Sequence, residues 1–176
     1  RRYIGIRTGI RALAASRGLV TQPHVAAYDL SNFTIIVRYR HPNGSSGNPL
    51  LVQKQVSATN RNFALIIVAA GHLLARWSQG GVSTTIHTTA GSLLVNDGEL
   101  HTYAWAAAGG VRSYLMVDGE VVAEDLSIGT PDTQTASLIW GGSMSVNAEQ
   151  FDGRLYGVDL APDLARGLAS QRAQRR

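Results

Sequence analysis

Short β-forming segments separated by strong turn signals constrain the fold of this chain more than any other feature. Runs rich in Val, Ile, Thr, Tyr, Phe and Trp recur about every 8 to 12 residues, and Gly, Asn, Asp or Pro stands between them. Asp118-Gly119 and Gly109-Gly110 are two-residue sequences that suit the tight turn of a β-hairpin, which requires positive φ. Many short strands joined in this way are typical of an antiparallel sandwich or jelly roll.

The predicted strands follow from their β-branched and aromatic content and from the turns that bound them. They span residues 33–40, 50–55, 63–69, 72–78, 83–88, 100–107, 111–117, 120–123, 136–140 and 150–160. His101, Tyr103 and Trp105 fall on one face of their strand, because side chains alternate along a strand. Residues 41–49 and 57–62 are predicted as loops, and a short C-terminal helix is predicted after Pro162.

Charge is distributed unevenly along the chain. Residues 1–17 and 166–176 together carry a net charge of +9 and no acid, whereas residues 18–165 carry −5. We therefore predict a basic N-terminal arm (1–18), a jelly-roll body (19–165) and a basic tail (166–176). Such ends suit an anionic partner, either nucleic acid, a membrane surface or the acidic body of a neighbouring copy, although solvated ends remain an equal alternative. The arginines assigned to assembly arms are Arg1, Arg2, Arg7, Arg11, Arg17, Arg172, Arg175 and Arg176.

Several classes of protein are excluded by what the sequence lacks. The 176 residues suit one domain, and the absence of cysteine excludes a disulfide scaffold, a cysteine zinc site and a thiol nucleophile. The start of the sequence lacks the apolar core of a signal peptide, and no apolar run approaches the roughly 20 residues that span a bilayer. No groove-entering helix or stacking platform is recognisable, which disfavours a nucleic-acid partner.

An ordered series of short motifs gives the chain a family resemblance. The motifs are Phe33-Thr34, then Leu50, Val52 and Lys54, then Asn62-Phe63-Ala64-Leu65, Gly71-His72-Leu73, Asp97-Gly98-Glu99-Leu100-His101, Tyr114 to Val122, and Phe151-Asp152-Gly153-Arg154-Leu155. In this order they resemble the laminin G-like, concanavalin A-like lectin jelly rolls over about residues 19–165. The resemblance implies an all-β fold of two antiparallel sheets.

A narrower pattern resembles the variant of this domain in phage virion proteins. The pattern has two parts, which are Val20, Pro23, Ala27, Asp29 and Leu30, and then Leu73, Ala75, Trp77, Ser78, Gly80 and Gly81. Their spacing resembles that in minor tail and other virion proteins of phages that infect high-GC bacteria. This implies a virion location, with other virion proteins or further copies of the chain as partners. Because jelly rolls often pack symmetrically, a homo-oligomer or a larger assembly is expected.

Catalysis is not expected. Related jelly rolls include glucanases, whose paired carboxylates come from an alternating Glu-x-Asp-x-Glu type of strand, and no such strand occurs in this sequence. No Gly-x-Ser-x-Gly elbow accompanies the five histidines. His101 is interpreted as a packed or hydrogen-bonded structural residue.

The candidate binding residues lie where aromatic and polar side chains adjoin predicted turns. They are Trp77, Arg76, Asn60, Arg61 and Asn62, although each aromatic residue suits the core better than a sugar site. No cofactor is required. Calcium remains an alternative because some members of the resembled family bind it, with Asp97, Asp118 and Asp132 as weak candidate ligands.

The functional hypothesis is a non-catalytic virion protein, a tail or capsid accessory subunit, whose lectin-like jelly roll binds host-surface glycans and whose Arg-rich ends anchor it. The alternative is a secreted or cell-surface carbohydrate-binding module. A glycoside hydrolase is a remote third.

Overall fold

The computed structural model describes most of the predicted body of the chain. The described residues are 4–6, 10–12, 20–26, 29–40, 50–57, 59–68, 72–87, 97–108, 111–126, 129–141 and 153–161. The predicted C-terminal helix, the loop 41–49 and all the arm arginines except Arg11 lie outside these residues.

Within this part of the chain, thirteen strands form two antiparallel sheets. Sheet 1 has the order β1-β13-β4-β9-β10-β11, with β2 also paired to β13, and sheet 2 has the order β3-β12-β5-β6-β7-β8. The strands are β1 Ile4–Ile6, β2 Ile10–Ala12, β3 Val20–Gln22, β4 Asn32–Arg40, β5 Leu50–Ser57, β6 Asn60–Val68, β7 His72–Gln79, β8 Val82–His87, β9 Leu100–Ala108, β10 Arg112–Val117, β11 Glu120–Asp125, β12 Leu138–Trp140 and β13 Gly153–Ala161. The predicted two-sheet jelly-roll sandwich is confirmed.

Two tight turns have the backbone that their sequences require. Asp118 and Gly119, between β10 and β11, have φ angles of 50° and 82°. Gly80 and Gly81, between β7 and β8, have φ angles of 58° and 77°. Positive φ at both central residues matches the right-handed twist of the flanking strands, so both turns close hairpins.

The core lies between the sheets and follows from the alternation of side chains along each strand. Phe33, Ile35, Val37 and Tyr39 of β4 are fully buried in one cluster with residues of β6, β7, β9 and β12. Trp105 packs edge-to-face on Phe33, with ring centroids 4.8 Å apart, a geometry that the aromatic quadrupole favours. The prediction that Tyr103 and Trp105 share a face is confirmed, because both belong to this cluster.

Two segments differ from their predicted structure. Residues 57–62 were expected to form a loop, but β5 continues to Ser57 and β6 begins at Asn60. Polar residues can occupy these strand ends because neighbouring groups satisfy their side chains. Part of the expected N-terminal arm is also strand, since β1 and β2 pair with β13. These six residues therefore belong to the sandwich, through backbone hydrogen bonds that side-chain patterns do not reveal.

Candidate functional site

The outer face of sheet 1 carries arginine and tyrosine side chains around a buried apolar cluster. Because the odd-numbered residues of β4 and β9 point into the core, the even-numbered ones point outward. Ile36, Ala104, Ala106 and Met116 form the apolar cluster, and the half-buried Tyr114 packs against it. We call Tyr114 and the exposed arginines that surround this cluster (Arg38, Arg40 and Arg112) the arginine–tyrosine face.

One end of this face is organised by a direct contact between two side chains. Arg112 Nη1 donates a hydrogen bond of 2.8 Å to the Tyr114 hydroxyl. Across the ladder, Tyr114 lies opposite Ala106 on one side and opposite the exposed Glu124 on the other. A guanidinium, a phenol and a carboxylate therefore lie side by side at this end of the face, next to the buried apolar cluster.

The other end is basic. Arg38 lies opposite Thr102 and Arg40 opposite Leu100 in the β4–β9 ladder. Among the described residues, neither arginine forms an ion pair. Arg38 lies opposite Thr102 of β9, and Arg112 lies opposite Ala108 of the same strand. These two positions on β9 are six residues apart, which corresponds to roughly 20 Å along the sheet.

A histidine clamp lies beside the Arg38 end of the face, at the margin of the sandwich. His101 Nδ1 is 2.7 Å from Asp118 Oδ2, and Nε2 is 3.1 Å from both carboxylate oxygens of Asp97. Asp118 Oδ1 also accepts the Thr102 N–H at 2.8 Å. The clamp therefore ties the turn before β9 to the hairpin between β10 and β11.

The clamp favours a charged imidazole. Burial alone lowers the pKa of His101, but the hydrogen bonds and charges of Asp118 and Asp97 outweigh it and raise the pKa above the ordinary 6.5. Burial likewise raises the pKa of Asp97, but bonds from the Glu99 N–H and from His101 hold that pKa below 3.8. The interpretation of His101 as a hydrogen-bonded structural residue agrees with this geometry.

A buried polar junction closes the opposite end of the sandwich. Lys54 is fully buried, and its Nζ donates to Asp29 Oδ1 and to the Gln134 carbonyl. Asn62 Nδ2 donates to the carbonyl oxygens of Leu30 (3.3 Å) and Asp132 (2.9 Å). These contacts hold the segments around residues 29–30 and 132–134 on sheet 2. The sequence feature that could have indicated this junction is Lys54, the only lysine in the chain, which follows an apolar strand segment.

The five predicted binding residues do not form one surface. Trp77 is fully buried in the core, with its ring centroid 6.0 Å from that of Trp105. Arg61 and Asn62 are also buried, and Arg61 donates to Gln55 and Ser83. Only Asn60, which is exposed, and Arg76, which is half-buried on the outer face of sheet 2, reach solvent. The structure therefore offers the arginine–tyrosine face as a different candidate, which the sequence analysis missed.

The three candidate metal ligands do not converge either. Asp97 and Asp118 lie on opposite nitrogens of the same imidazole, whereas Asp132 accepts the N–H groups of Gly80 (2.9 Å) and Gly81 (3.1 Å) at the other end. Within the described ranges, no group of three or more His, Cys, Asp or Glu side chains is arranged to hold a metal ion. The described part of the chain also contains no helix with the length and apolarity that a bilayer crossing needs.

Comparison with protein families identifies the fold. The family described as the concanavalin A-like lectin/glucanases superfamily matches residues 15–163. The chain belongs to this superfamily. Membership in the concanavalin A-like superfamily confirms the resemblance drawn from the ordered motifs, whereas the narrower phage pattern stays a prediction. No sequence among the curated proteins matches the chain.

Solved structures share this fold at low sequence identity. The CBM40 domain of Ruminococcus gnavus IT-sialidase, bound to α2,3-sialyllactose, aligns over 96% of this chain and 98% of its own, with a TM-score of 0.70 and 19% identity. The binding domain of Paraclostridial Mosquitocidal Protein 1 aligns over 98% of this chain and 45% of its own, with a TM-score of 0.76 and 13% identity. The receptor-binding domain of botulinum neurotoxin type G aligns over 98% and 44%, with a TM-score of 0.63 and 7% identity.

Proposed function

We propose that this chain is a non-catalytic glycan-binding module and that the arginine–tyrosine face is its binding surface. The observation that carries the proposal is the Arg112–Tyr114 hydrogen bond beside the buried apolar cluster. A phenol ring offers an apolar face to a sugar ring and a hydroxyl to its polar edge, while a guanidinium donates to hydroxyls or carboxylates. Fixing these two groups against each other reduces the entropy lost when a ligand binds.

The charges on this face favour an acidic glycan. Arg38, Arg40 and Arg112 are exposed, and arginine binds carboxylates bidentately. The R. gnavus CBM40 was solved with sialyllactose, which carries a carboxylate, and that domain has the same fold over nearly its whole length. These observations support a sugar acid as the ligand class.

Binding without cleavage is supported by the arrangement of the carboxylates. Hydrolysis of a glycoside needs two carboxyl groups on either side of one bond. The sequence has no alternating acidic strand. Among the side chains that the structure describes, the exposed carboxylate on the face is Glu124, and it lies beside an arginine and a tyrosine.

A glycan array followed by titration of its best ligand tests the proposal. We expect binding to sugars that carry a carboxylate, and Tyr114→Ala or Arg112→Ala should weaken it at least tenfold, about 1.4 kcal/mol. Arg76→Ala is the matched control, because it removes an arginine from the outer face of the other sheet and should leave the affinity unchanged. An array without any bound glycan would refute the function, and equal losses in all three variants would refute the site.

The proposed setting is a virion, with the module displayed on a tail or capsid. The narrower resemblance in the sequence and the nine arginines without an acid at the two ends support it. Deleting residues 1–17 is a poor test, because it also removes β1 and β2 from sheet 1. Substituting Gln at Arg172, Arg175 and Arg176 leaves all the described strands intact. We expect these substitutions to lower incorporation into particles, and unchanged incorporation would contradict an anchoring role for the C-terminal tail.

A further inference from the structure

Three arginine positions lie side by side across neighbouring strands of sheet 1. Arg11 of β2 is opposite Arg154 of β13, and Arg154 is opposite Arg40 of β4. On its other side, Arg40 is opposite Leu100 of β9. Because neighbouring strands are about 4.8 Å apart, the three arginine positions span roughly 10 Å. We call Arg11, Arg154 and Arg40 the arginine row.

The arginine row belongs to the outer face of sheet 1. Residues directly opposite each other in a ladder share a face of the sheet, and Arg40 is exposed on the outer face. All three positions of the row are therefore on that face. Arg38, also exposed, lies two residues along β4 on the same face. It is opposite Gly157 of β13, which has no side chain.

Such a row is unfavourable unless it has a partner of opposite charge. Like charges directly opposite each other destabilise a sheet, and the row contains two such pairs. Among the described residues, Arg40 forms no ion pair, and the nearby Asp97 and Asp118 are both engaged by His101. A bound anion would remove the repulsion, because the planar guanidinium donates in pairs to the oxygens of carboxylates and phosphates.

We propose that the arginine row is an oxyanion site that binds one phosphate monoester group of a glycan. At pH 7 a phosphate monoester carries a charge of about −1.5 to −2 on three acceptor oxygens, so several guanidinium groups can donate to it at once. A sulfate ester or a carboxylate carries one negative charge and offsets less of the repulsion. The row is also compact, whereas a nucleic-acid strand is bound along a charged track of several phosphates.

The row lies at the opposite end of the face from the Arg112–Tyr114 pair. Arg40 is opposite Leu100 of β9 and Arg112 is opposite Ala108, so the two positions are eight residues apart, roughly 27 Å. Binding at the two ends can therefore be tested separately. That the phosphate belongs to a glycan rests on the proposed function, whereas the oxyanion site itself does not.

Thermal unfolding of the full chain in increasing glucose 6-phosphate tests the site. The Tm should rise and then level off, because a ligand that binds only the folded state stabilises it in proportion to its occupancy. Inorganic phosphate should act in the same way. Glucose controls for the sugar, and potassium chloride of equal ionic strength controls for the screening of repulsion by salt. Glucose 6-sulfate should bind more weakly than glucose 6-phosphate.

Variants of the row distinguish a bound anion from a general effect of salt. Arg154→Gln removes the central charge, so it should raise the Tm when no phosphate is present, yet weaken the binding of glucose 6-phosphate about tenfold. Arg40→Gln should weaken binding as well, and its exposed position keeps the test decisive if Arg154→Gln fails to fold by circular dichroism. Arg76→Gln is the matched control on the other sheet and should bind as tightly as the unchanged protein.

Four results would overturn the inference or its glycan part. The site is wrong if neither glucose 6-phosphate nor inorganic phosphate gives saturable stabilisation, or if folded Arg154→Gln and Arg40→Gln bind as tightly as Arg76→Gln. Tighter binding of glucose 6-sulfate than of glucose 6-phosphate would refute the phosphate. Tighter binding of a single-stranded oligonucleotide would replace the glycan by nucleic acid. Phosphate binding together with an empty glycan array would refute the proposed function and leave the oxyanion site standing.

Discussion

Replacing Lys54 by methionine should strongly destabilise the fold, because it breaks a buried ion pair. The Lys54 side chain is fully buried and contacts both the Asp29 carboxylate and the Gln134 carbonyl, while the Asp29 side chain retains 18% exposure. Removing one partner of a buried pair costs about 3 to 5 kcal/mol, since it leaves the other charge uncompensated. The partial exposure of Asp29 allows some hydration, so we expect the lower end, about 3 kcal/mol. For a domain of this size that corresponds to a Tm decrease of roughly 6 to 12 °C.

Urea unfolding followed by tryptophan fluorescence measures this loss, and a double-mutant cycle assigns it to the pair. Methionine keeps the length of the lysine stem, so the change is mainly one of charge and hydrogen bonding. With Asp29→Asn already present, Lys54→Met should cost at least 1 kcal/mol less than it does alone, because the charge left behind is gone. A Lys54→Met loss below about 1 kcal/mol, or strictly additive variants, would refute the view that the pair organises this end of the sandwich.

Three further predictions concern the clamp and the turns. The folded state holds the pKa of His101 above the ordinary 6.5, so between these two pKa values it binds more protons than the unfolded state. The free energy of unfolding should therefore fall as pH rises from 6.5 through the raised pKa. Urea midpoints measured from pH 5 to 9 should show this slope in the unchanged protein and not in His101→Gln. Asp132→Ala should lower the free energy of unfolding by about 1.5 to 3 kcal/mol in thermal unfolding, since the N–H groups of Gly80 and Gly81 lose a charged acceptor. Asp132→Asn should recover part of this loss. Equal stability of the two variants would contradict the role of Asp132 as the acceptor for the turn. Gly81→Ala should lower the free energy of unfolding by about 1 kcal/mol or more, because Gly81 has a φ of 77°. An added Cβ would meet nothing within 4 Å, so the loss would come from the backbone conformation and not from a clash. An unchanged urea midpoint would show that the turn adopts another type.

The strands and hairpins could be predicted from the sequence because their determinants are local. The strand predicted at 33–40 is observed as Asn32–Arg40, and the one at 100–107 as Leu100–Ala108. Asp118-Gly119 forms the expected turn because few residue pairs tolerate two positive φ angles. The boundaries near residue 60 were wrong because polar side chains there find partners that are distant in sequence, such as Ser83 for Arg61.

The candidate site could be predicted much less well. Trp77 was one of the five predicted binding residues, and only the packing of β7 against β9 shows that it lies inside the sandwich. Arg112 and Tyr114 are two residues apart in an ordinary alternating strand, so nothing in the sequence distinguishes them from other outward-facing residues. They become a candidate site because the pairing of β9 and β10 places Tyr114 opposite Ala106, on an apolar cluster built from three strands.

The sequence by itself determined the class of fold, since turn chemistry and alternation act over a few residues and are readable in order. It also determined the charge contrast between the ends and the body, and the absence of an acidic catalytic strand. The tertiary structure alone decided which face carries the paired arginine and tyrosine, and which aspartates share a histidine. Those features depend on strand order and register, and both are set by contacts between residues far apart in the chain.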